Sequence, residues 1–316
     1  MESRRDFLKA AGVAGAAALT GTAGCLGSFG EQAYGDGTVQ FMMSPSEPQN
    51  YMMKQYGPMR DYIDSEIGDS ADVELQYAAD YSAVLQGLGS GSADIAETGP
   101  FAAALGVKAD KAEIALQRHA YGSWTYTSVI VTRKDSDIES LSDLKGKRVA
   151  FADMTSASGS LYPLYMLQDA GLEIGEAPVS DNGADFTGTW SGHAEAFKAL
   201  QDGQVEAAGV GKFITQGDDG YVEGIEPIID YKKEYGKGIP RAPMVVSPEL
   251  SDSEKESLVS ALKDAPEDAY LGKDGEGDTD DDLWFDGVRP AKLEDYQPVI
   301  DVANKLNLST DLLDSA

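Results

Sequence analysis

The segment VAFADMTSASGSLYP, residues 149–163, combines a short apolar strand pattern, a serine-rich turn and a proline. Because proline is tolerated only in the first turn of a helix, Pro163 predicts a helix that begins between Ser158 and Ser160. The free N–H groups of that turn, with the hydroxyls of Ser156 and Ser158, would form a cradle of donors at the positive end of the helix dipole. An ordinary serine N-cap without a ligand is the alternative interpretation. The segment therefore predicts a strand–turn–helix unit with a candidate anion site.

Strand and helix patterns alternate on both sides of this segment. The predicted strands are 39–43, 73–77, 94–96, 114–116, 128–131, 149–151, 205–208 and 243–246. The predicted helices are 50–65, 81–88, 101–107, 160–170, 193–201 and 293–306, with one more after a capping box that begins at Ser251. Such alternation is typical of βαβ units with mostly parallel sheets, so the fold class is α/β.

The rhythm of strands restarts at Ser128, which divides the chain into two lobes, each a mostly parallel sheet flanked by helices. We expect the first lobe to comprise residues 38–127 and 244–316, and the second lobe residues 128–243. Two strand crossovers would connect them as a two-strand hinge with a cleft between the lobes. This architecture suits ligand trapping, although a fold alone does not decide a function.

The first 25 residues read as an export signal. Arg4 and Arg5 precede an apolar stretch over 10–19 that is too short to span a membrane, which is typical of a twin-arginine signal peptide. Small residues then precede Cys25, the only cysteine of the chain, in a context like a lipobox. We therefore expect export, lipidation at Cys25 and attachment to the outer face of the cytoplasmic membrane, with residues 26–37 as a tether.

Acidic residues outnumber basic residues 54 to 25, which gives a formal net charge of −29, while the apolar fraction of 42% is ordinary. The excess acid is therefore expected on a solvated surface that suits a salt-loving organism, where repulsion is screened. It argues against nucleic acid as a partner. A lone cysteine excludes an internal disulfide and a cysteine-based zinc site. The acidic run 274–282 lacks the spacing of a calcium loop, so no metal site is expected there.

Several short segments, taken in their order and spacing, resemble the substrate-binding proteins of phosphate, phosphite and phosphonate ABC importers. They are ADYSAVLQGL (79–88), ADIAETGP (93–100), YTSVIV (126–131), LSDLKGKRVAF (141–151), the serine-rich turn and SGH (191–193). The resemblance runs from about Val39 to the C-terminal helices. It implies a type II periplasmic-binding-protein-like fold, a small anionic ligand captured by hinge closure, and a cognate ABC permease and ATPase as partners. It also implies a monomer that needs no cofactor and is not an enzyme.

The resemblance further implies which residues hold the ligand. Tyr81 and Tyr126 match positions whose phenols donate to the anion, although half-buried core tyrosines would show the same pattern. His193 matches a histidine that faces the ligand. The backbone at Thr98 and Gly99 would approach the ligand from the first lobe, because glycine permits close contact.

The serine-rich turn matches the family's Ser-Thr-Ser-Gly cradle at Ser156, Ala157, Ser158 and Gly159. Ala157 replaces the threonine, so one hydroxyl donor is missing. A buried oxygen left without its donor costs about 1–3 kcal/mol. A changed affinity or a changed oxyanion preference is the implied consequence.

Family members that bind aminoalkylphosphonates place carboxylates where this chain has Phe213 and Ala242, the latter next to Arg241. With no acid at either position, an aminoalkyl ligand is not expected. The resemblance implies instead a compact phosphorus oxyanion or a small alkylphosphonate, with Trp124, Trp190 and Phe213 as candidate walls of the pocket.

Two alternatives stay open. A hydrolase could use Ser156 or Ser158 with His193, but the chain has no Gly-x-Ser-x-Gly elbow and no acid that the sequence assigns to the histidine. The same scaffold could instead carry a sulfonate, a sulfate or another small organic ligand. The second histidine, His119, is expected to lie away from the site.

Overall fold

The computed structural model describes residues 34–217, 220–277, 279 and 281–314. Within them, strands β1 to β15 are, in chain order, Thr38–Met43, Asp72–Tyr77, Ile95–Glu97, Glu113–His119, Thr125–Tyr126, Ser128–Arg133, Arg148–Phe151, Thr187–Trp190, Ala207–Gly211, Gln216–Gly217, Gly220–Tyr221, Ile225–Asp230, Ile239–Pro240, Pro243–Val246 and Gly287–Pro290. Helices α1 to α10 are Tyr34–Gly37, Gln49–Gln55, Gly57–Ile67, Tyr81–Ser90, Pro100–Lys108, Tyr162–Asp169, His193–Gln201, Tyr231–Tyr235, Asp252–Lys263 and Gln297–Lys305. The predicted signal peptide and Cys25 lie outside the described residues.

Two sheets organise the described part of the molecule. The first is six-stranded in the order β15-β4-β14-β3-β1-β2, and the second is five-stranded in the order β12-β6-β9-β7-β8. In the first sheet β1 pairs in parallel with β2 and β3, and β14 lies antiparallel between β3 and β4. In the second sheet β7 pairs in parallel with β8 and β9, and β6 lies antiparallel between β9 and β12. The prediction of mostly parallel lobes is therefore confirmed in strand direction. The first sheet also contains two strands of opposite direction, β14 and the edge strand β15, and the second sheet contains one, β6.

A pair of short strands joins the two sheets. β5 leads from the first sheet into β6, and it pairs antiparallel with β13, which leads back into β14. Tyr126 lies opposite Ile239 in this pair. This is the two-strand hinge that the sequence predicts, while the lobe boundaries at residues 127/128 and 243/244 stay a prediction.

The burial pattern along the strands explains why they form. In β1, Val39, Phe41 and Met43 are fully buried and alternate with partly exposed residues, as expected of a strand with one face in a core. β9 is buried at every position, which is typical of a strand covered on both faces. A side chain at Gly209 would place its Cβ 2.7 Å from the Cβ of Pro163. The glycine therefore lets the proline of the serine-rich segment pack against the second sheet.

Two predicted boundaries are wrong. The sequence predicts one helix over 50–65, whereas the structure has α2 and α3, because Pro58 has no N–H to continue the first helix. The strand predicted at 205–208 is instead Ala207–Gly211 (β9), because the small residues up to Gly211 continue the pairing with β6. The capping box at Ser251 is confirmed: its Oγ accepts from the N–H of Glu254, whose carboxylate accepts from the N–H of Ser251 at 2.7 Å.

None of the helices described is long and apolar enough to cross a membrane. Within the same ranges, no group of three or more His, Cys, Asp or Glu residues lies where it could hold a metal ion. The acidic run 274–282 belongs only in part to these ranges, because residues 278 and 280 are outside them.

Candidate functional site

A cavity of ≈ 80 Å³, called the inner cavity below, lies between the two sheets beside the hinge. Seven of the predicted site residues line it: Tyr81, Gly99, Tyr126, Ser156, Ala157, Ser158 and His193. Residues that the sequence did not assign also line it, among them Glu47, Glu97, Arg118, Tyr121 and Arg241. The volume suits a small ligand enclosed by both lobes.

The serine-rich turn presents hydrogen-bond donors to the inner cavity. Ser156 caps the helix, because its Oγ accepts a hydrogen bond from the N–H of Gly159 at 3.1 Å. The N–H groups of Ala157 and Ser158 belong to the first turn, so the helix itself does not use them. This arrangement supplies the positive end of a helix dipole at the wall of the cavity.

The helix starts earlier than the sequence predicts. It begins at Ala157, not between Ser158 and Ser160, and residues Ala157–Leu161 wind as a π-helical turn before α6 begins. The start predicted from Pro163 assumed that the first turn of the helix is α-helical. The wider turn adds residues between the N-cap and Pro163, which still lies in the first turn of α6.

His193, the first residue of α7, is held by hydrogen bonds through both ring nitrogens. The N–H of Gly211 donates to Nδ1 at 3.2 Å, and Nε2 lies 3.2 Å from the Oγ of Ser156. Because Nδ1 accepts, the proton of the neutral ring is on Nε2, which donates to Ser156. Burial lowers the pKa of His193 to about 4, so the ring is neutral at pH 7.

These bonds determine what Ser156 can do. Its Oγ already accepts from Gly159 and from His193, so the lone pairs are used and its own proton is free to be donated into the cavity. They also argue against the hydrolase alternative. A general base must accept the serine proton, but Nε2 carries a proton, and Nδ1 faces a backbone N–H where a catalytic triad needs a carboxylate.

Two neutral phenols complete the set of donors. Tyr126, in hinge strand β5, has its pKa raised to about 12 by burial, and its hydroxyl approaches Ser158. Tyr81, at the start of α4, has its pKa raised well above the usual value, again by burial. Both phenols therefore keep their protons and can donate hydrogen bonds to an anion.

Gly99 and Gly159 leave room for neighbouring side chains of the site. A Cβ at Gly99 would lie 3.0 Å from Cε1 of Tyr81, so the glycine makes room for the phenol ring. A Cβ at Gly159 would overlap that of Ala152 and lie 2.7 Å from Cε1 of His193. Thr98 is fully buried, and neither it nor Gly159 lines the inner cavity. The direct ligand contacts expected of these two residues therefore stay a prediction.

A buried ion pair, missed in the sequence, forms part of the wall. Nη1 of Arg118 donates to Oε2 of Glu97 at 2.7 Å, with side chains that are 1% and 2% exposed. The other carboxylate oxygen accepts from the N–H and the hydroxyl of Ser44, each at 2.8 Å. The guanidinium also donates to Tyr56 and to the carbonyl of Ala242. Because both charges are satisfied, the pair contributes little net charge to a ligand.

Arg241 is the second missed residue, and its charge is not compensated in this way. It follows hinge strand β13, is only 8% exposed, and donates through Nε to the carbonyl of Ser123 at 2.9 Å. Its guanidinium lies 5.4 Å from the ring of Tyr121 and 6.0 Å from that of Tyr126. Across the described ranges, no carboxylate forms an ion pair with it. Burial lowers the pKa of Arg241, as expected for a charge without a partner, but a guanidinium stays protonated.

A carboxylate that the sequence did not assign to the site also reaches the inner cavity. Phe213 and Ala242 line the cavity, as the family pattern implies, and neither is acidic. Glu47 lines it too, from the loop between β1 and α2. The expectation that no aminoalkyl ligand binds stays a prediction, and Glu47 is an acid that the family pattern did not include.

Only part of the predicted aromatic wall is present. Phe213 lines the inner cavity, with its ring 5.1 Å from that of His193. Trp124 instead lies beneath the guanidinium of Arg289, at 4.2 Å. Trp190 lines a neighbouring outer cavity of ≈ 410 Å³. The sequence places both tryptophans near the cleft, but it does not determine which way their side chains point.

The stability of the folded protein should decrease as the pH is lowered, because the buried His193 is neutral in the folded chain and gains a proton on unfolding. The unfolded chain takes up that proton near pH 6.5, whereas the folded chain does so near its own pKa of about 4. The contribution is present above pH 6.5 and is lost as the pH falls through this window, by about 1.4 kcal/mol per unit and about 3 kcal/mol in all. Urea denaturation at several pH values should show that H193N loses this part of the slope. H119N, at the other histidine, should keep it; equal slopes for wild type and H193N would contradict the assignment.

Comparison with known proteins relates the chain to a family. Residues 41–296 match the family described as ABC transporter, phosphonate, periplasmic substrate-binding protein, and residues 3–21 match the twin-arginine translocation signal. The chain is 30% identical over 175 residues to the phosphate-import protein PhnD of Mycolicibacterium smegmatis, covering 54% of each chain. It is 30% identical over 176 residues to the phosphonates-binding periplasmic protein of Escherichia coli, covering 54% of this chain and 49% of that one. The chain thus spans about half the length of these curated relatives.

Two solved structures show the same fold at low identity. A binding protein component of an ABC phosphonate transporter from Pseudomonas aeruginosa superposes with a TM-score of 0.70 at 22% identity, over 88% of this chain and 87% of that chain. PhnD1 from Prochlorococcus marinus, in complex with methylphosphonate, gives a TM-score of 0.68 at 18% identity, over 86% and 98%. The family match covers most of the sequence and shows that the chain belongs to the periplasmic substrate-binding proteins of ABC phosphonate transporters.

Proposed function

We propose that this protein is the lipid-anchored, extracytoplasmic binding component of an ABC importer, and that it captures phosphate, phosphite or a small alkylphosphonate in the inner cavity. One observation carries the proposal. Neutral donors from both lobes and the guanidinium of Arg241 converge on a cavity of ≈ 80 Å³. A buried cation without a carboxylate partner is costly, and an anionic ligand would supply the missing charge.

The donors suit an anion with several oxygens. Ser156 and the amides of Ala157 and Ser158 come from the second lobe, Tyr81 from the first, and Tyr126 from the hinge. Each of these groups is neutral and keeps its proton while it donates a hydrogen bond, so together they can surround a tetrahedral oxyanion. Hydrogen bonds to a charged acceptor are about twice as strong as neutral ones, and exclusion of water strengthens them further. His193 acts through Ser156, whose proton it leaves free for the ligand.

Hinge closure would bring these donors together. Besides the ligand contacts, the carboxylate of Asp153, beside the cradle, approaches the backbone N–H of Tyr81 in the first lobe. Contacts from both lobes to one anion would shift the population toward the closed form, which a permease can recognise.

The finer points of localisation and assembly belong to the same proposal. The match of residues 3–21 to a twin-arginine signal supports export, and Cys25 follows in a context suited to lipidation. The anchored chain would act as a monomer beside a cognate permease and ATPase, each supplied by other chains.

Calorimetric titration of the purified protein in high salt tests the proposal. The panel is phosphate, phosphite, methylphosphonate, aminoethylphosphonate and sulfate. Heat from at least one phosphorus oxyanion, much reduced in S156A, is the expected result. Binding of sulfate alone would favour the sulfonate or sulfate alternative. No heat from any of these anions would mean that the serine-rich turn is only a helix cap.

A further inference from the structure

Glu47 is a carboxylate in the wall of a cavity that otherwise presents donors. It lies between Pro45 and Pro48, and its backbone carbonyl accepts from the hydroxyl of Tyr77 at 2.8 Å, which fixes the loop. Its side chain is half-buried and lines both the inner and the outer cavity. Over the described ranges, no hydrogen bond or ion pair uses this carboxylate. It is therefore available as an acceptor to whatever occupies the inner cavity.

The other charges around Glu47 do not remove this property. In the inner cavity, Glu97 is bound to Arg118. Burial raises the pKa of the Tyr121 phenol, Glu47 raises it further and Arg241 lowers it, so the two charges have opposite effects on this group. Among the described residues, the wall of the outer cavity adds three more acids, Asp80, Asp153 and Glu195, and neither lysine nor arginine. His193, the titratable residue shared by both cavities with Glu47, is neutral at pH 7. An anion in the inner cavity thus meets one unpaired positive and one unpaired negative group.

A carboxylate can contact an oxyanion favourably only when a proton lies between their oxygens. A singly ionised phosphate, phosphite or phosphonate carries such a proton on one oxygen, and the carboxylate can accept it as a hydrogen bond. Sulfate and sulfonates have no proton at neutral pH, so their oxygens would face Glu47 as like charges. A sulfate or sulfonate could form a hydrogen bond with Glu47 only if the Glu47 carboxylate itself took up a proton from solvent.

We propose that Glu47 is a specificity-determining residue that accepts a hydrogen bond from the P–OH group of the ligand, while Arg241 and the cradle bind its ionised oxygens, so that phosphorus oxyanions are selected over sulfur oxyanions. This inference rests on the proposed function and adds the ligand's protonation state to it. An ammonium group beside Glu47 fits less well, because it would share an inner cavity of ≈ 80 Å³ with the guanidinium of Arg241.

Methylphosphonate and methanesulfonate provide a matched pair of probes, because both are tetrahedral and carry one methyl group, and at pH 6.5 they differ mainly in the acidic proton. Calorimetry with the wild-type protein should give at least about tenfold tighter binding of methylphosphonate. In E47Q, the amide can donate to an unprotonated oxygen, so the ratio should fall to within about threefold, mainly through gained methanesulfonate affinity. E195Q, which removes an acid that lines only the outer cavity, is the matched control and should keep the wild-type ratio.

The outcomes separate the two proposals. If the wild-type protein binds neither probe nor any other phosphorus oxyanion, the proposed function fails. If it binds methylphosphonate but E47Q discriminates as strongly as wild type, or if wild type binds both probes equally, Glu47 does not select the ligand. Thermal unfolding of each variant checks folding. E47A can neither accept the P–OH hydrogen bond nor repel a sulfonate oxygen, so it should lose methylphosphonate affinity and gain methanesulfonate affinity, the latter by less than E47Q because alanine cannot donate a hydrogen bond.

Discussion

Replacing Arg241 by glutamine is expected to weaken methylphosphonate binding about 100-fold, which corresponds to about 3 kcal/mol. Arg241 is buried beside the hinge, lines the inner cavity, and forms no ion pair within the described part of the chain. A ligand anion would therefore be its charge partner. Losing one member of a desolvated charge pair leaves the other charge uncompensated, and this accounts for the size of the effect. Calorimetric titration of wild type and R241Q measures it.

The stability of the ligand-free protein separates binding from folding at this position. An unpaired buried charge destabilises a protein, so R241Q should unfold at the same or a higher denaturant concentration than wild type. R289Q is the matched control, since Arg289 stacks on Trp124 outside the inner cavity and should leave the affinity unchanged. If R241Q lost stability and affinity together, Arg241 would be a structural residue and the assignment would be wrong.

Replacing Glu97 by alanine is expected to lower the free energy of unfolding by about 3–5 kcal/mol. The substitution leaves the guanidinium of Arg118 buried without its carboxylate, and it removes the acceptor used by the N–H and hydroxyl of Ser44. Such a loss is a large share of the stability of a typical domain, about 5–15 kcal/mol. Chemical denaturation monitored by tryptophan fluorescence provides the measurement.

An exposed ion pair supplies the comparison for Glu97. Glu113 pairs with Lys255 at 2.8 Å but is half exposed, so E113A should cost at most about 1 kcal/mol. A loss in E97A no larger than that in E113A would show that the buried pair does not hold the cavity wall together.

The sequence was most informative where neighbouring residues determine the structure. The segment around Pro163 predicted a strand, a cap and a helix, and all three are present. The strand patterns predicted the two sheets and the hinge for the same reason, because periodic burial is a local property. The helix start was misplaced, since a π-helical turn cannot be distinguished from an α-helical turn by the position of a proline alone.

The missed residues depend on contacts between distant parts of the chain. Arg118 and Glu97 lie on different strands, and only the sheet order, with β14 between β3 and β4, brings them together. Arg241 was noted beside Ala242, but that no carboxylate of the described residues pairs with it becomes visible only when the surrounding side chains are in place. Glu47 is one of 54 acidic residues and has no local feature that separates it from a solvated surface acid.

A crystal structure of the protein with methylphosphonate tests the central claim most directly. We expect the phosphorus atom in the inner cavity, with phosphonate oxygens within hydrogen-bond distance of Ser156, Tyr126 and Arg241, and with His193 still bound to Ser156. A phosphonate bound outside this cavity, or bound inside it without any contact to Ser156 or Arg241, would contradict the account.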